Sequence, residues 1–226
     1  MIPHGRGAGS DPVNRFHTLH VETDEDAWLD DDPRPLKTTF VRDDSQSILA
    51  DNTADDLSFD YGLNPYRGCE HGCAYCYART YHEYLGFSAG LEFESKIVVK
   101  ENAPELLGKA LAKPSYKVGK IAMSGVTDCY QPAERKLEIT RRCLEVLARF
   151  RNPVTIITKN ALVARDIDHL SELAKHNAIA VYLSVTTLDP KLARVLEPRA
   201  SSPPARLETI RQLTDAGIPA RGRAPR

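Results

Sequence analysis

The sequence predicts an α/β fold with parallel strands, because short apolar strands alternate with amphipathic helices and short loops join them. Polar residues follow the strands, as in Ser124-Gly-Val-Thr-Asp128 and Lys159-Asn160. The near-continuous apolar run Val154-Thr-Ile-Ile-Thr158 is what a sheet covered on both faces requires. In such folds ligands sit at the edge reached by the strand C-termini.

Residues 1–56 are rich in Asp, Pro, Gly and Ser, with an acidic run from Asp24 to Asp32 and weak periodicity. They read as a largely irregular N-terminal extension, from which Phe16, Trp28 and Phe40 could dock on the rest. From Leu57 the pattern changes. Residues 57–61 alternate like a strand and run into the turn signal Asn64-Pro65. A helix is expected over 75–85, a strand over 96–100 and a helix over 103–112. The next strand covers 120–124. The helix after it starts near Pro132 and runs to Phe150, with Leu137, Thr140, Leu144 and Leu147 on one face. Then come a strand over 154–158, a helix over 162–176, a strand over 179–185 and a helix over 206–216, stopped by Gly217 and Pro219. No strand pattern follows Pro219. Residues 57–219 therefore read as one incomplete domain and 220–226 as a basic tail, the mark of a truncated or out-of-frame end.

The 226 residues suffice for one sizeable core, and 42% hydrophobic with 27% charged residues is ordinary for a globular protein. No run approaches the roughly 18 apolar residues of a membrane span, and residues 1–11 lack the apolar core of a signal peptide. A net charge of −1 gives no argument for nucleic-acid binding. Five cysteines, three of them crowded together, do not resemble a secreted disulfide framework. They point to a reducing cytoplasm and to metal.

The informative stretch is Asn64-Pro-Tyr-Arg-Gly-Cys69-Glu-His-Gly-Cys73-Ala-Tyr-Cys76-Tyr-Ala-Arg79. Three thiolates at C-x3-C-x2-C spacing, in a loop entering a helix, can reach three corners of one iron–sulfur cubane and leave the fourth iron open. Gly68 and Gly72 let the backbone turn tightly there. The alternative is a structural zinc site completed by His71 or His82, which would suit a nucleic-acid module. Zinc motifs usually add a second close pair of cysteines, whereas Cys129 and Cys143 stand alone.

The motif from Gly68 to Cys76, after a strand and before a helix, resembles the signature of the radical S-adenosylmethionine (SAM) superfamily. Its flanks, with Thr127-Asp128 and Thr158-Lys159 downstream, resemble the spore photoproduct lyase-like or DNA-repair-photolyase-like subgroup. The resemblance implies a partial (βα) barrel of six parallel strands, at least two more than the pattern supplies. It also implies a [4Fe–4S] cluster, SAM bound at its open iron and a 5′-deoxyadenosyl radical that abstracts a substrate hydrogen. An electron donor such as a ferredoxin or flavodoxin is implied too, and a nucleic-acid substrate follows by analogy alone. A chain with the cluster loop but too few strands to close the site could bind the cluster without catalysis.

Carried over by motif, Cys69, Cys73 and Cys76 match the cluster ligands and Tyr75 the residue beside the SAM adenine. Ser124, Gly125 and Thr127 follow the strand where the family binds the methionine amino group, though they depart from its usual Gly-Gly-Glu form. Lys159 matches a lysine facing the SAM carboxylate, and Ser184 a SAM-contacting hydroxyl. Spore photoproduct lyases carry a hydrogen-donating cysteine where Gly125 or Val126 stands here, which speaks against thymine-dimer repair and leaves Cys129 as a candidate donor. Asp128 and Glu134 are site carboxylates or local structure, and Glu197 and Arg199 read as a surface pair. Cys143 reads as a core thiol and His17 and His20 as surface residues. Tyr81, Tyr84, Tyr116 and Tyr130 form no clear stacking platform.

Overall fold

The computed structural model describes residues 5–17, 36–54 and 56–223. Four strands come first: β1 (Thr39–Arg42), β2 (Leu49–Asp51), β3 (Tyr61–Leu63) and β4 (Tyr66–Arg67). A 3-10 helix over Tyr77–Leu85 leads to α1 (Leu91–Ser95), β5 (Lys96–Val99), α2 (Ala103–Leu111) and β6 (Ile121–Met123). Then follow α3 (Glu134–Leu137), α4 (Ile139–Phe150), β7 (Val154–Thr158), a second 3-10 helix over Ala161–Asp166 and α5 (Ile167–Ala174). The chain continues through β8 (Ile179–Ser184), α6 (Pro190–Leu196), α7 (Pro203–Asp215) and β9 (Ala220–Arg223).

The main sheet has the order β2-β3-β6-β7-β8-β9, parallel from β3 to β9, with β2 antiparallel at its edge. Residues of β7 and β8 alternate, so that Val154, Ile156, Ile179, Val181 and Leu183 face a core shared with Leu107, Leu144, Leu147, Leu170 and Leu173. Thr155, Ile157, Ala180, Tyr182 and Ser184 between them are only half-buried. Helices thus cover one face fully, and the other is the inner side of an open partial barrel. No helix among the described residues is long and apolar enough to cross a membrane.

A second sheet, β1-β5-β4, pairs β1 parallel to β5. The extension expected to be irregular therefore contributes two strands. Their weak signal has a physical cause: β1 and β2 lie at sheet edges and their side chains are mostly exposed. The same reason corrects the reading of the C-terminal segment. Residues 220–223 are strand β9, in register with β8 from Val181↔Ala220 to Ser184↔Arg223. Its residues are largely exposed, so no apolar run announced it.

Two expected helices are split. Glu138 adopts a left-handed conformation (φ 50°) between α3 and α4, where the buried Glu134 carboxylate takes the amides of Thr140 and Arg141 at 3.0 and 3.2 Å. The stretch 162–176 divides at Asp166, which is fully buried and holds Tyr130 (3.0 Å) and Arg141 (2.9 Å). The expected strand over 57–61 begins only at Tyr61. Helices α1 and α6 had gone unread. Trp28, His20 and the acidic run from Asp24 to Asp32 lie outside the described residues.

Candidate metal centre

The cysteine loop leaves β4 and enters the first 3-10 helix. Gly68 (φ 78°) and Gly72 (φ 63°) take the left-handed turns that favour glycine. The loop backbone is bonded to distant elements on several sides. Cys69 N donates to Phe93 O (2.9 Å), Ala74 N to Leu196 O (2.9 Å) and Arg199 N to His71 O (3.3 Å). Gln131 clasps it twice, accepting from Glu70 N at 2.9 Å and donating to Gly68 O at 3.1 Å. Cys69 and Cys73 are buried, Cys76 is half-buried, and all three are free thiols.

Burial, then the neighbouring Cys69, pushes the Cys73 thiol well above its usual range, and burial does the same to Cys76. Cations oppose this at two of the three: Lys159 acts on Cys73, and Arg79 and Lys159 on Cys76. Three closely spaced, largely buried thiols with Lys159 and Arg79 nearby fit an anionic, thiolate-ligated centre whose binding displaces the thiol protons. Among the described residues, no three His, Cys, Asp or Glu side chains converge as the ligands of a single ion. His82, the alternative zinc ligand, instead packs between Phe87 (5.1 Å) and Phe93 (5.6 Å, edge-on).

His71 is fully buried. Its Nδ1 lies 3.3 Å from Asp128 Oδ2, and its Nε2 lies 3.3 Å from the Asn160 amide nitrogen. Burial disfavours charge on this imidazole, but the Asp128 carboxylate overrides it and raises the pKa. Asp128 also accepts from Thr158 Oγ1 (2.7 Å) and Lys159 N (2.8 Å), so the end of β7 and the cysteine loop share one carboxylate.

Tyr75 projects beside this group. Its hydroxyl bonds Glu197 and lies 2.9 Å from Thr186 Oγ1, and Lys159 Nζ stands 5.8 Å from its ring centroid. Glu197 and Arg199 are not a surface pair. Glu197 is 2% exposed and salt-bridged to the equally buried Arg206, while Arg199 pairs with Glu70 at 2.9 Å. Arg206 also donates to Ser184 O at 2.7 Å, which ties the end of β8 to Tyr75 through Glu197. Ser124 has φ 77°, and its hydroxyl takes Cys129 N at 2.9 Å. Gly125 O accepts the Tyr77 hydroxyl. Lys159, Ser184, Ser124 and Gly125 thus lie at or just beyond the C-terminal ends of β7, β8 and β6, with Lys159 over Tyr75 and Gly125 joined to Tyr77.

Two expected site residues stand elsewhere. Thr127 spends its hydroxyl on Tyr66 O at 2.7 Å. Cys129 has no exposed surface and packs in the main core, where burial pushes its thiol up. The expected hydrogen donor is thus a fully buried thiol beside Ser124, with no exposed surface in this structure. Sequence reasoning missed Arg6 and the buried Glu94, which binds both Arg6 and the motif's Arg79. Gly5-Arg-Gly7 was a visible signal without a periodicity to place it.

The exposed Tyr81 and Tyr84 rings lie 6.5 Å apart, and Phe16 adds a third ring 5.2 Å from Tyr84. The Arg15 guanidinium covers both Phe16 (4.9 Å) and Tyr84 (5.7 Å). Tyr81 and Tyr84 rim a cavity of about 590 Å³ that also takes in Arg67, Lys100, Asn64 and Val126. Tyr116 stacks on Tyr61, and Tyr130 is buried.

The family model described as "Radical SAM superfamily" matches residues 63–223. The chain belongs to the radical SAM superfamily. It is 38% identical over 162 residues to "Uncharacterized protein Rv2578c" of Mycobacterium tuberculosis (strain ATCC 25618 / H37Rv), covering 72% of this chain and 48% of that one. It is 34% identical over 158 residues to "Uncharacterized protein MJ0683" of Methanocaldococcus jannaschii, covering 70% and 56%. The chain spans about half the length of the curated relatives it matches. Among solved structures, a cysteine-to-serine mutant of spore photoproduct lyase superposes with a TM-score of 0.59 at 17% identity, covering 81% of this chain and 50% of that one. A double mutant of that lyase with bound AdoMet and dinucleoside spore photoproduct gives 0.56 at 17% identity, covering 81% and 48%. At these identities the likeness is one of fold. This radical SAM chain shares its α/β architecture with the lyase.

Proposed function

We propose that Cys69, Cys73 and Cys76 hold a [4Fe–4S] cluster, that SAM binds beside it against Tyr75 and Lys159, and that the pair starts radical chemistry on a substrate. The observation that carries this reading is the three-thiol loop of a radical SAM chain, with Cys69 and Cys73 buried and Cys76 half-buried. When bound, the cluster and SAM supply one-electron cleavage to methionine and a 5′-deoxyadenosyl radical that abstracts a hydrogen from the substrate.

The protein's own residues bind, orient and exclude water. The Lys159 ammonium, just after β7, would pair with the SAM carboxylate. The Tyr75 ring, held by Glu197, would form one wall for the adenine, and the Ser124-Gly125 turn and Ser184 would supply polar contacts. The His71–Asp128 pair keeps the cysteine loop against the end of β7. In this proposal a ferredoxin- or flavodoxin-type donor supplies the electron. The substrate class we favour is nucleic acid, which the spore photoproduct lyase fold and the Tyr81–Tyr84–Phe16 aromatics with Arg15 support.

The test is anaerobic reconstitution with iron and sulfide, then EPR of the dithionite-reduced protein with and without SAM. The expected result is a [4Fe–4S]+ signal that changes on adding SAM. A protein that takes up zinc but no sulfide would overturn the proposal.

A further inference from the structure

Residues 5–16 are the part of the molecule whose placement the reaction leaves unexplained. They cross the outside of the cysteine loop and stay close to it. A Cβ on Gly7 would overlap the Gly72 carbonyl oxygen, and a Cβ on Gly72 would come 2.7 Å from Arg6 Cβ. Two glycines therefore lie face to face, and the segment covers the turn between Cys69 and Cys73 at backbone contact. No other residue fits at either position without displacing one of the two chains.

The segment is anchored at intervals along its length. The buried Glu94 carboxylate takes the backbone amides of Arg6 and Gly7, the latter at 3.1 Å. The Arg6 guanidinium reaches Glu94 O, Thr38 Oγ1 (2.8 Å) and Leu36 O (3.1 Å). Asp11 accepts from Leu91 N at 3.0 Å and from the Ser88 hydroxyl, capping the start of α1. Asn14, 3% exposed, donates to Glu83 O and Phe87 O, both at 2.9 Å, and Arg15 pairs with Glu83 at 3.1 Å. Apart from Leu36 and Thr38, every anchor sits on residues 83–94, in the segment that follows the cysteines.

Charge points the same way. Arg79 pairs with the Glu94 carboxylate and Arg199 with that of Glu70, while the Arg6 guanidinium sits on the Glu94 carbonyl beside them. Arg6 itself lies against the turn between Cys69 and Cys73, where a Cβ on Gly72 would come 2.7 Å from its own Cβ. A thiolate-bound cluster is anionic and gains a further negative charge on reduction, so a positive surplus held in a partly desolvated place favours both binding and reduction.

We infer that residues 5–16 are a strap that seals the cysteine loop from solvent and carries Arg6 to the cluster as an electrostatic positioning residue. The inference rests on the cluster reading proposed above. Gly7 supplies the close fit, Asp11 and Asn14 hold the strap down, and Arg6 biases the centre toward its reduced state.

The experiment reconstitutes the full chain anaerobically with ferrous iron and sulfide, in the wild type and in Arg6→Ala, Arg6→Lys, Gly7→Val and Asn14→Ala. It follows loss of the cluster's visible absorbance to an iron chelator and in air, and the midpoint potential by EPR-monitored titration. Wild-type protein is expected to hold the cluster, with Gly7→Val and Asn14→Ala losing it about tenfold faster, as is usual for groups just outside a ligand set. Arg6→Ala is expected to shift the potential to more negative values, and Arg6→Lys, which keeps the charge, to restore most of it. A merely structural arginine would leave the potential unmoved. Wild-type rates and potential in every variant would overturn the strap alone. A wild type that takes up no iron and sulfide would overturn the cluster reading and the strap with it.

Discussion

The Tyr75 hydroxyl donates to the buried carboxylate of Glu197, which Thr186 Oγ1 (2.7 Å) and Arg206 also hold. An aromatic ring that stands 45% exposed is thus fixed in orientation by a residue deep in the fold. Glu197 belongs to the support of the site, whatever the ring contacts. Glu197→Ala leaves the Arg206 charge buried and unpaired, which costs about 3–5 kcal/mol and is read by urea denaturation of the apo protein. Tyr75→Phe keeps the Arg206 pair, so its stability loss is expected to stay near 1 kcal/mol, the worth of one ordinary hydrogen bond. A melt as damaging as that of Glu197→Ala would refute the assignment.

Single changes of Cys69, Cys73 or Cys76 to Ala are expected to abolish retention of a full cluster, because each removes a corner ligand. Cys129→Ala and Cys143→Ala are expected to keep wild-type iron and sulfide content, since both thiols lie in the main core. Iron and acid-labile sulfide per chain decide this directly. Stoichiometric loss on changing either core cysteine would reassign the ligands.

Lys159→Met separates cofactor binding from cluster binding. The Lys159 side chain lies over the Tyr75 ring at 5.8 Å, at the end of β7. The variant is expected to carry the cluster yet show little change in its EPR signal on adding SAM, with the apparent SAM affinity down about tenfold, roughly one charge-assisted bond. Lys159→Arg is expected to recover part of the response. An unchanged SAM titration in the Met variant would place the carboxylate contact elsewhere.

His82 gives a pH dependence of stability with a definite sign. Burial lowers its pKa from 6.5 to about 4, and neither ring nitrogen finds a partner among the described residues. Below pH 6.5 the unfolded chain binds a proton that the folded chain refuses until about pH 4. Stability from this group is therefore fully present above pH 6.5 and falls as pH drops, by about 3 kcal/mol at pH 4. His82→Phe, between Phe87 and Phe93, is expected to flatten the apo-protein melting curve across that window. A variant whose melting temperature falls with acid as steeply as the wild type's would show that other groups carry the effect.

The sequence by itself determined the parallel α/β class, the strand over 154–158 to the residue, and the three cysteines with their turn glycines. These are local facts: apolar residues along a strand must find a core on at least one face, and a tight loop carrying close cysteines needs glycine at its left-handed turns. It did not reveal β9, whose exposed residues carry no pattern and which exists only because β8 offers an unpaired edge. Nor did it reveal that Glu197 pairs with Arg206 rather than Arg199, because a two-residue spacing says nothing about which side chain the fold turns inward. Cys129 and Lys159 looked equally close to the site in the chain. The core took one, and the strand end presented the other beside Tyr75. The placement of Arg6 against the loop that begins at Cys69 was likewise decided by tertiary structure alone, since contacts between segments so far apart in the chain arise from long-range packing and buried charge, not from local pattern.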